Sequence, residues 1–303
     1  MKLTTLTQPQ IQGWITQAIR HAQQGHLPAY IPKLAKVDRN LMAVHVQTVA
    51  GHVYAAGDVN HPFALMSVAK PFILLFLLEV LGAETVFQKV GIQPSDQPFN
   101  SLAQLKADQG WPRNPMLNSG AIALAALLPG QTAQDRCDQL QQWLNQQAGC
   151  RLMLDEEMLA SVRSLKNQHN WDLAHLVLAS EHPTSVEQAL DTYNTVCCLT
   201  GTTADLARLG LLLVYQQAKI QPAHRRIVNT LMLTCGLYEH SAAFAVQVGL
   251  PTKSGVSGAL LSIVPGEGAI ALYSPALDAA GNSAVGLFIL EQMAQTLNLS
   301  VFV

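Results

Sequence analysis

The sequence predicts an α+β fold in which N- and C-terminal segments build one antiparallel sheet around a central helical lobe. Three observations predict it. Residues 41–58 alternate apolar and polar side chains on either side of Gly51, the signature of a β-hairpin. The middle of the chain carries apolar residues at helical spacing, with cap residues at the ends of each run. From Val248 to Pro275 the texture changes to short β-rich runs bounded by Gly and Pro. Strands at both ends of a helical middle imply a single domain of 303 residues. Its sheet lobe is expected to cover about 1–66 and 236–303, and its helical lobe about 67–235.

Taken in order, Gln8 to Gln24 reads as an amphipathic helix with Ile11, Trp14, Ile15 and Ala18 on one face and Gly25 as its stop. The connector GHLPAYIPKL holds Tyr30 between two prolines, a rigid setting that suits either a pocket-lining phenol or a packing aromatic in a loop. His45 and His52 in the hairpin read as strand surface residues. The segment MSVAK then runs into the apolar stretch PFILLFLLEVLG, read as a helix that starts near Ser67 with Pro71 in its first turn. A polar loop rich in Pro, Asn, Ser and Gly follows, of the kind that lines sites or interfaces. Asn118, at its end, is either a helix N-cap or an amide that reads substrate.

TAQDRCDQLQQWLNQQAG is a surface helix closing on Gly149, and LDEEMLASVRSLKN and NWDLAHLVLAS are two more, with Asn170 as the expected cap of the second. A further helical pair is joined at Thr200-Gly201-Thr202, and in it Tyr193 sits among small residues where a buried hydroxyl needs a partner. The chain closes with a long helix or a strand leading into one.

Composition excludes several functions. With 49% hydrophobic and 13% charged residues and a net charge of -2, the chain has apolar surface for a large core and no cationic excess for nucleic acid or an anionic membrane. A small neutral or zwitterionic ligand fits better. The first 25 residues lack a signal-peptide core, and no apolar run apart from the one after Ser67 approaches the length of a membrane span. Five cysteines, an odd number without C-x-x-C or Cys/His ligand spacing, point to reduced thiols in the cytoplasm and to no metal site.

Two motifs carry chemistry. At a helix start, Ser67 and Lys70 lie three residues apart on one face, a nucleophile beside an amine that a surrounding core would desolvate. Such a pair recurs by chance, as an N-cap serine and a solvated lysine. Lys253-Ser254-Gly255 is its second half: serine enzymes of the penicillin-recognising type pair S-x-x-K with K-[ST]-G on a sheet strand. The backbone N–H groups of Ser67 and Val256 would then form an oxyanion hole.

FNSLAQLKADQGWPRNPMLNSGAIAL, the long string from Thr234 to Ser283, and YIPKLA make the sequence resemble the serine-dependent glutaminases, from about Tyr30 to the C-terminus. The resemblance implies a β-lactamase-like fold and hydrolysis of L-glutamine to glutamate and ammonia through an acyl-serine, without cofactor, in a cytosolic homo-oligomer, dimer or tetramer. It further implies Ser67 as nucleophile, Lys70 and Tyr238 as its proton-transfer partners and Val256 as an oxyanion donor. Tyr30, Asn118, Asn170 and Tyr193 match positions that line the substrate site.

One position departs from the family pattern S-E-x-x-T-x-x-R-N, whose glutamate contacts the substrate's amino-acid end. Here Val162-Arg163 stands in the place of Ser-Glu, and no carboxylate lies between Glu157 and Asp172. An arginine facing the site would repel an ammonium group. Either the register slips and Glu156 or Glu157 reaches the site by a different helical path, or Arg163 stands there, and glutamine turnover is then expected to be weak and an amide with an anionic or acylated remote end to be preferred. A silent homologue with a binding role is the reading from a different class. A β-lactam hydrolase fits least, lacking a signal peptide and an S-D-N triplet.

Overall fold

The computed structural model describes residues 2–165, 167–179, 184–214 and 220–302. In chain order, α1 (Gln8–Gln24) leads into the hairpin β1 (Ala43–Thr48) and β2 (Val53–Gly57), then the short β3 (Phe63–Ala64). A 3-10 turn, Met66–Ala69, opens α2 (Lys70–Phe87), followed by α3 (Leu102–Ala107), α4 (Asn118–Ala125), α5 (Ala133–Ala148), β4 (Met153–Leu154) and α6 (Glu156–Arg163). Next come α7 (Gln168–Val177), α8 (Val186–Cys197), β5 (Leu199–Gly201), α9 (Thr203–Val214) and α10 (Pro222–Cys235). The chain ends with α11 (Ser241–Gln247), β6 (Thr252–Ser254), β7 (Ala259–Val264), β8 (Gly268–Tyr273) and α12 (Ala284–Leu297).

The main sheet has the order β2-β1-β8-β7-β6 with every pairing antiparallel, so the first and last segments of the chain do meet in one sheet. Its central join is β1 on β8, where Val46 lies opposite Ile270 and Val44 opposite Leu272. Alternation divides the strands between two faces. Val44, Val46, Leu260, Ile270 and Leu272 belong to a core shared with Ile11, Trp14 and Ala18 of α1 and Ile289, Leu290 and Met293 of α12. Ala43, Leu261, Ile263, Ala269 and Ala271 turn the other way, into a core with α2 and with Leu206, Leu209 and Leu213 of α9. The result is a three-layer α/β/α arrangement of β-lactamase-like type.

The last contact shows what the sequence hid. Lying among the central helices in the chain, α9 packs flat on the sheet, because small residues allow a close approach. A Cβ built on Gly210 would stand 2.5 Å from the Ala269 Cβ and 2.9 Å from the Leu261 Cδ1. The same packing corrects the reading of His45, which shares the α9 face of β1 with Ala43 and is buried, its pKa lowered by burial and by the nearby Arg208 charge. His52 is exposed as expected.

The apolar helix α2 runs through this second core: Phe72, Ile73, Leu74, Leu75, Leu77 and Leu78 are all buried, leaving no polar face in its first half. By length and composition Met66–Phe87 could cross a membrane, but 72% of that window is buried inside the fold, and Gly82 at φ 80° breaks its regular helix. Thr200-Gly201, read as a simple joint, forms the middle of a second sheet, β3-β5-β4. Phe63 pairs with Gly201 and Ala64 with Thr200, and the Leu65 N–H donates to the Leu199 carbonyl at 2.7 Å. This little sheet fixes the chain just before Ser67.

Filling the Gly210 contact would force helix and sheet apart. Gly210→Leu is expected to destabilise the protein by about 1–3 kcal/mol, as read from urea unfolding with an unchanged m-value.

Candidate active site

Ser67 lies in the 3-10 turn between β3 and α2 and is almost buried. The turn is strained where it begins: Met66 has φ 47°, in the left-handed region that residues with a side chain enter at a cost. Across from it, the end of β6 comes in close because Gly255 has no side chain. A Cβ there would stand 2.8 Å from the Leu65 carbonyl oxygen and 3.4 Å from the Ser67 nitrogen. The glycine of Lys253-Ser254-Gly255 is thus required by contact with the Ser67 turn, and it sets Val256 beside the serine. Neither the Ser67 N–H nor the Val256 N–H has a backbone acceptor among the described residues.

Lys70 is 1% exposed. Its Nζ donates to the Met116 carbonyl at 2.9 Å and to Asn118 Oδ1 at 2.8 Å, and among the described residues no carboxylate pairs with it. Burial brings its pKa down from the usual lysine range to about 7. A neutral amine has two N–H groups and one lone pair. Both donors are taken by fixed acceptors, so the lone pair is the part of the nitrogen left to accept a proton.

Asn118 joins the rest. Although it opens α4, it caps nothing with its side chain. Its Oδ1 accepts from Lys70 and from the Tyr193 hydroxyl at 3.1 Å, and its Nδ2 donates to Asn170 Oδ1 at 3.0 Å. These bonds settle the amide orientation and give Tyr193 the partner its burial demands. Asn170 is not the cap of α7: Asn167 is, accepting from the Asn170 N–H at 3.1 Å. Asn170 sits one turn in, where its amide can face Asn118.

Tyr238 adopts φ 58°, a second left-handed residue at the site. Its hydroxyl is buried without a hydrogen bond of good geometry, although Ser67 and Ser254 are near enough to offset part of the rise in pKa that burial causes. It therefore stays a phenol. Lys253 holds it there: Nζ donates to the carbonyls of Gly236 at 2.9 Å and Ser254 at 2.7 Å and lies 4.2 Å from the centre of the Tyr238 ring. Burial and the neighbouring Lys70 drive the Lys253 pKa far down. The Ser254 hydroxyl donates to Asn282 Oδ1 at 2.6 Å, anchoring β6 to the loop before α12.

Around these groups is a cavity of about 320 Å³ lined by Tyr30, Ser67, Phe99, Asn118, Asn170, Tyr193 and Val256, among others. The structure thus brings together six of the residues singled out in the sequence at one hollow; Lys70 and Tyr238 do not line it, Lys70 being bonded to the lining Asn118 and Tyr238 lying near Ser67. Tyr30 is 52% exposed and forms the outer wall. Asn100, Asn167, Asn194 and Cys197 also line it and were not singled out. Asn194 follows Tyr193 directly, and only the turn of α8 shows that both can reach the hollow. The Cys197 thiol is pushed up to about 11 by burial and is uncharged.

Arg163 is elsewhere. Val162 lines the cavity, whereas Arg163 lines an adjoining hollow of about 180 Å³ and makes a two-pronged ion pair with Asp191, Nε to Oδ1 at 2.8 Å and Nη2 to Oδ2 at 2.9 Å. The expected bare cation facing the substrate is therefore corrected: its charge is matched by a carboxylate from α8. Among the described residues, no group of three His, Cys, Asp or Glu side chains could hold a metal ion.

This geometry has close counterparts. A glutaminase family model matches residues 25–302. A glutaminase of Synechocystis sp. is 44% identical over 292 residues, covering 96% of this chain and 89% of the relative. Among solved structures, a probable glutaminase aligns at TM-score 0.89 with 34% identity, covering 98% of this chain and 99% of its own. A probable glutaminase from Bacillus subtilis, complexed with 6-diazo-5-oxo-L-norleucine, aligns at TM-score 0.88 with 31% identity over 97% of this chain and 96% of its own. The chain belongs to the glutaminase family.

Proposed function

We propose that the protein hydrolyses L-glutamine to L-glutamate and ammonia through an acyl-serine at Ser67. The observation that carries this is the pair of fixed acceptors on Lys70, which leave its lone pair as the only free part of a buried amine. Lys70 takes the Ser67 proton as Oγ attacks the side-chain amide carbon. The Ser67 and Val256 N–H groups hold the oxyanion of the tetrahedral intermediate. The proton then passes to the departing nitrogen, with the unpartnered Tyr238 phenol as donor or relay, and ammonia leaves. Water repeats the attack on the acyl-serine, with Lys70 again as base. Asn118, Asn170, Tyr193 and Tyr30 position the substrate.

Support for glutamine comes from the family and from the cavity, which suits one small polar molecule. A second reading, hydrolysis of another small amide, draws on one observation: among the described residues, no carboxylate lines that cavity to meet an ammonium group. The cytoplasm is supported by five free, buried cysteines. A homo-oligomer, dimer or tetramer, is supported by the low charge content and by an apolar groove of about 590 Å³ beside Ile92 and Ile227.

Treatment with 6-diazo-5-oxo-L-norleucine is expected to add one adduct on Ser67, mapped by peptide mass spectrometry, and none on Ser67→Ala. A folded wild type without any adduct would instead favour a binding role. Because the neutral amine is the active form, kcat/KM should rise with pH through an apparent pKa of about 7. A profile flat from pH 5.5 to about 9 would remove Lys70 as the base. Gly255→Ala should lower kcat/KM by about tenfold to a hundredfold, since it pushes the oxyanion donors out of position, with a smaller effect on KM.

A further inference from the structure

The proposed substrate carries an ammonium group, and the cavity at Ser67 is walled at its far end by neutral amides, Asn167, Asn170 and Asn194. Charged residues lie just beyond them. The adjoining hollow shares Val162, Asn167, Asn170 and Asn194 with the site and adds Arg163, Asp191, Glu187 and Trp171. Asp191 stands one turn before Asn194 on α8, so the two side chains lie on one face of the helix, about 5–6 Å apart at their Cβ atoms. Side chains of a helix lean toward its N-terminus, which directs the Asn194 amide, shared by both hollows, toward Asp191 in the adjoining one.

We infer that Asp191 is the specificity-determining residue that supplies the counter-charge to the substrate's ammonium group. This rests on the proposed glutamine hydrolysis. Arg163 occupies one lone pair of each Asp191 oxygen, through Nε and Nη2. A carboxylate has about four acceptor sites, so Asp191 can take an ammonium donor while keeping its arginine. The ion pair is half exposed, with side chains 48% and 38% accessible. Such a pair is worth little in water, so Asp191 gives up part of it at small cost. Arg163 then has a definite part: by sharing the carboxylate it attenuates the pull of Asp191 on the ammonium. Glu187, at the first turn of α8, adds a second negative charge further out.

The test compares L-glutamine with glutaramate, the same amide without its amino group, by the ratio of their kcat/KM values. Wild type is expected to prefer glutamine by about tenfold or more, the worth of a charge-assisted hydrogen bond. Asp191→Asn should bring the ratio near one by weakening glutamine alone, mainly through KM. Arg163→Met, which releases Asp191, should raise the preference by about twofold to fivefold. A loss of folding would slow both amides alike, so the ratio reports recognition and not stability.

A preference for glutamine that survives Asp191→Asn, or one that falls in Arg163→Met, overturns the assignment of Asp191. A wild type that releases no ammonia from glutamine and gains no Ser67 adduct overturns the proposed function together with it. An active wild type thus separates the two failures.

Discussion

The site depends on keeping an amine uncharged in a place where charge is expensive. Lys70 sits inside the core that α2 forms with α4 and α8, and among the described residues no carboxylate follows it there. A buried ammonium without a counter-ion costs several kcal/mol, and the molecule avoids that cost by releasing the proton at lower pH. Met116 and Asn118 then satisfy both remaining N–H groups, so that the neutral form is hydrogen-bonded and the lone pair is directed. An Asp in place of Asn118 would restore the charge and remove the base. The amide is the group that can accept from the lysine without titrating it, and its NH₂ end passes the same order on to Asn170.

Around this amine, strain and close approach are concentrated. Two of the four non-glycine residues with positive φ among the described residues are Met66 and Tyr238, one on either side of the nucleophile. Each is held by something that would not relax with it. The turn at Met66 is pinned by the bond from Leu65 to Leu199 in the small sheet, and the Tyr238 turn by Lys253 and by the Ser241 hydroxyl, which donates to the Tyr238 carbonyl at 2.7 Å. Gly236 and Gly255 remove the side chains that would keep these turns away from β6. The β6 strand and the turns at Met66 and Tyr238 thus meet at backbone distance where the chemistry is proposed, and a methyl group would be enough to part them.

Electrostatics divides the cavity into two regions. At the serine end, among the described residues, there are two buried lysines and no acid. At the far end there are amides, then the Arg163–Asp191 pair in the adjoining hollow. A zwitterionic amide lying between them would set its reacting carbonyl beside neutral, desolvated donors and its charged end near water and ion pairs. That arrangement spares the protein the burial of an ammonium group, and it leaves substrate selection to residues away from the bond being broken.

Much of this was legible in the sequence. The α+β class followed from periodicity at the two ends and the middle, and the hairpin around Gly51, α1 and α5 formed where local caps and alternation indicated them. Ser67, Lys70 and the Lys253-Ser254-Gly255 strand could be paired because each motif is local and their order along the chain is informative. What the sequence did not reveal depends on which surfaces meet. Nothing local distinguishes α9 as a sheet-packing helix; Gly210 matters only once Ala269 lies beneath it. His45 looked like a surface residue because alternation shows that two faces differ but not that both are covered. Asn170 and Asn167 are both plausible caps, and only the turn of α7 decides which one is freed for the site. For Arg163, the residue type alone announced an unmatched positive charge. Its effect was set by Asp191, 28 positions away in the chain, because a charge acts through its nearest partner in space, and that partner is chosen by the packing of α6 against α8.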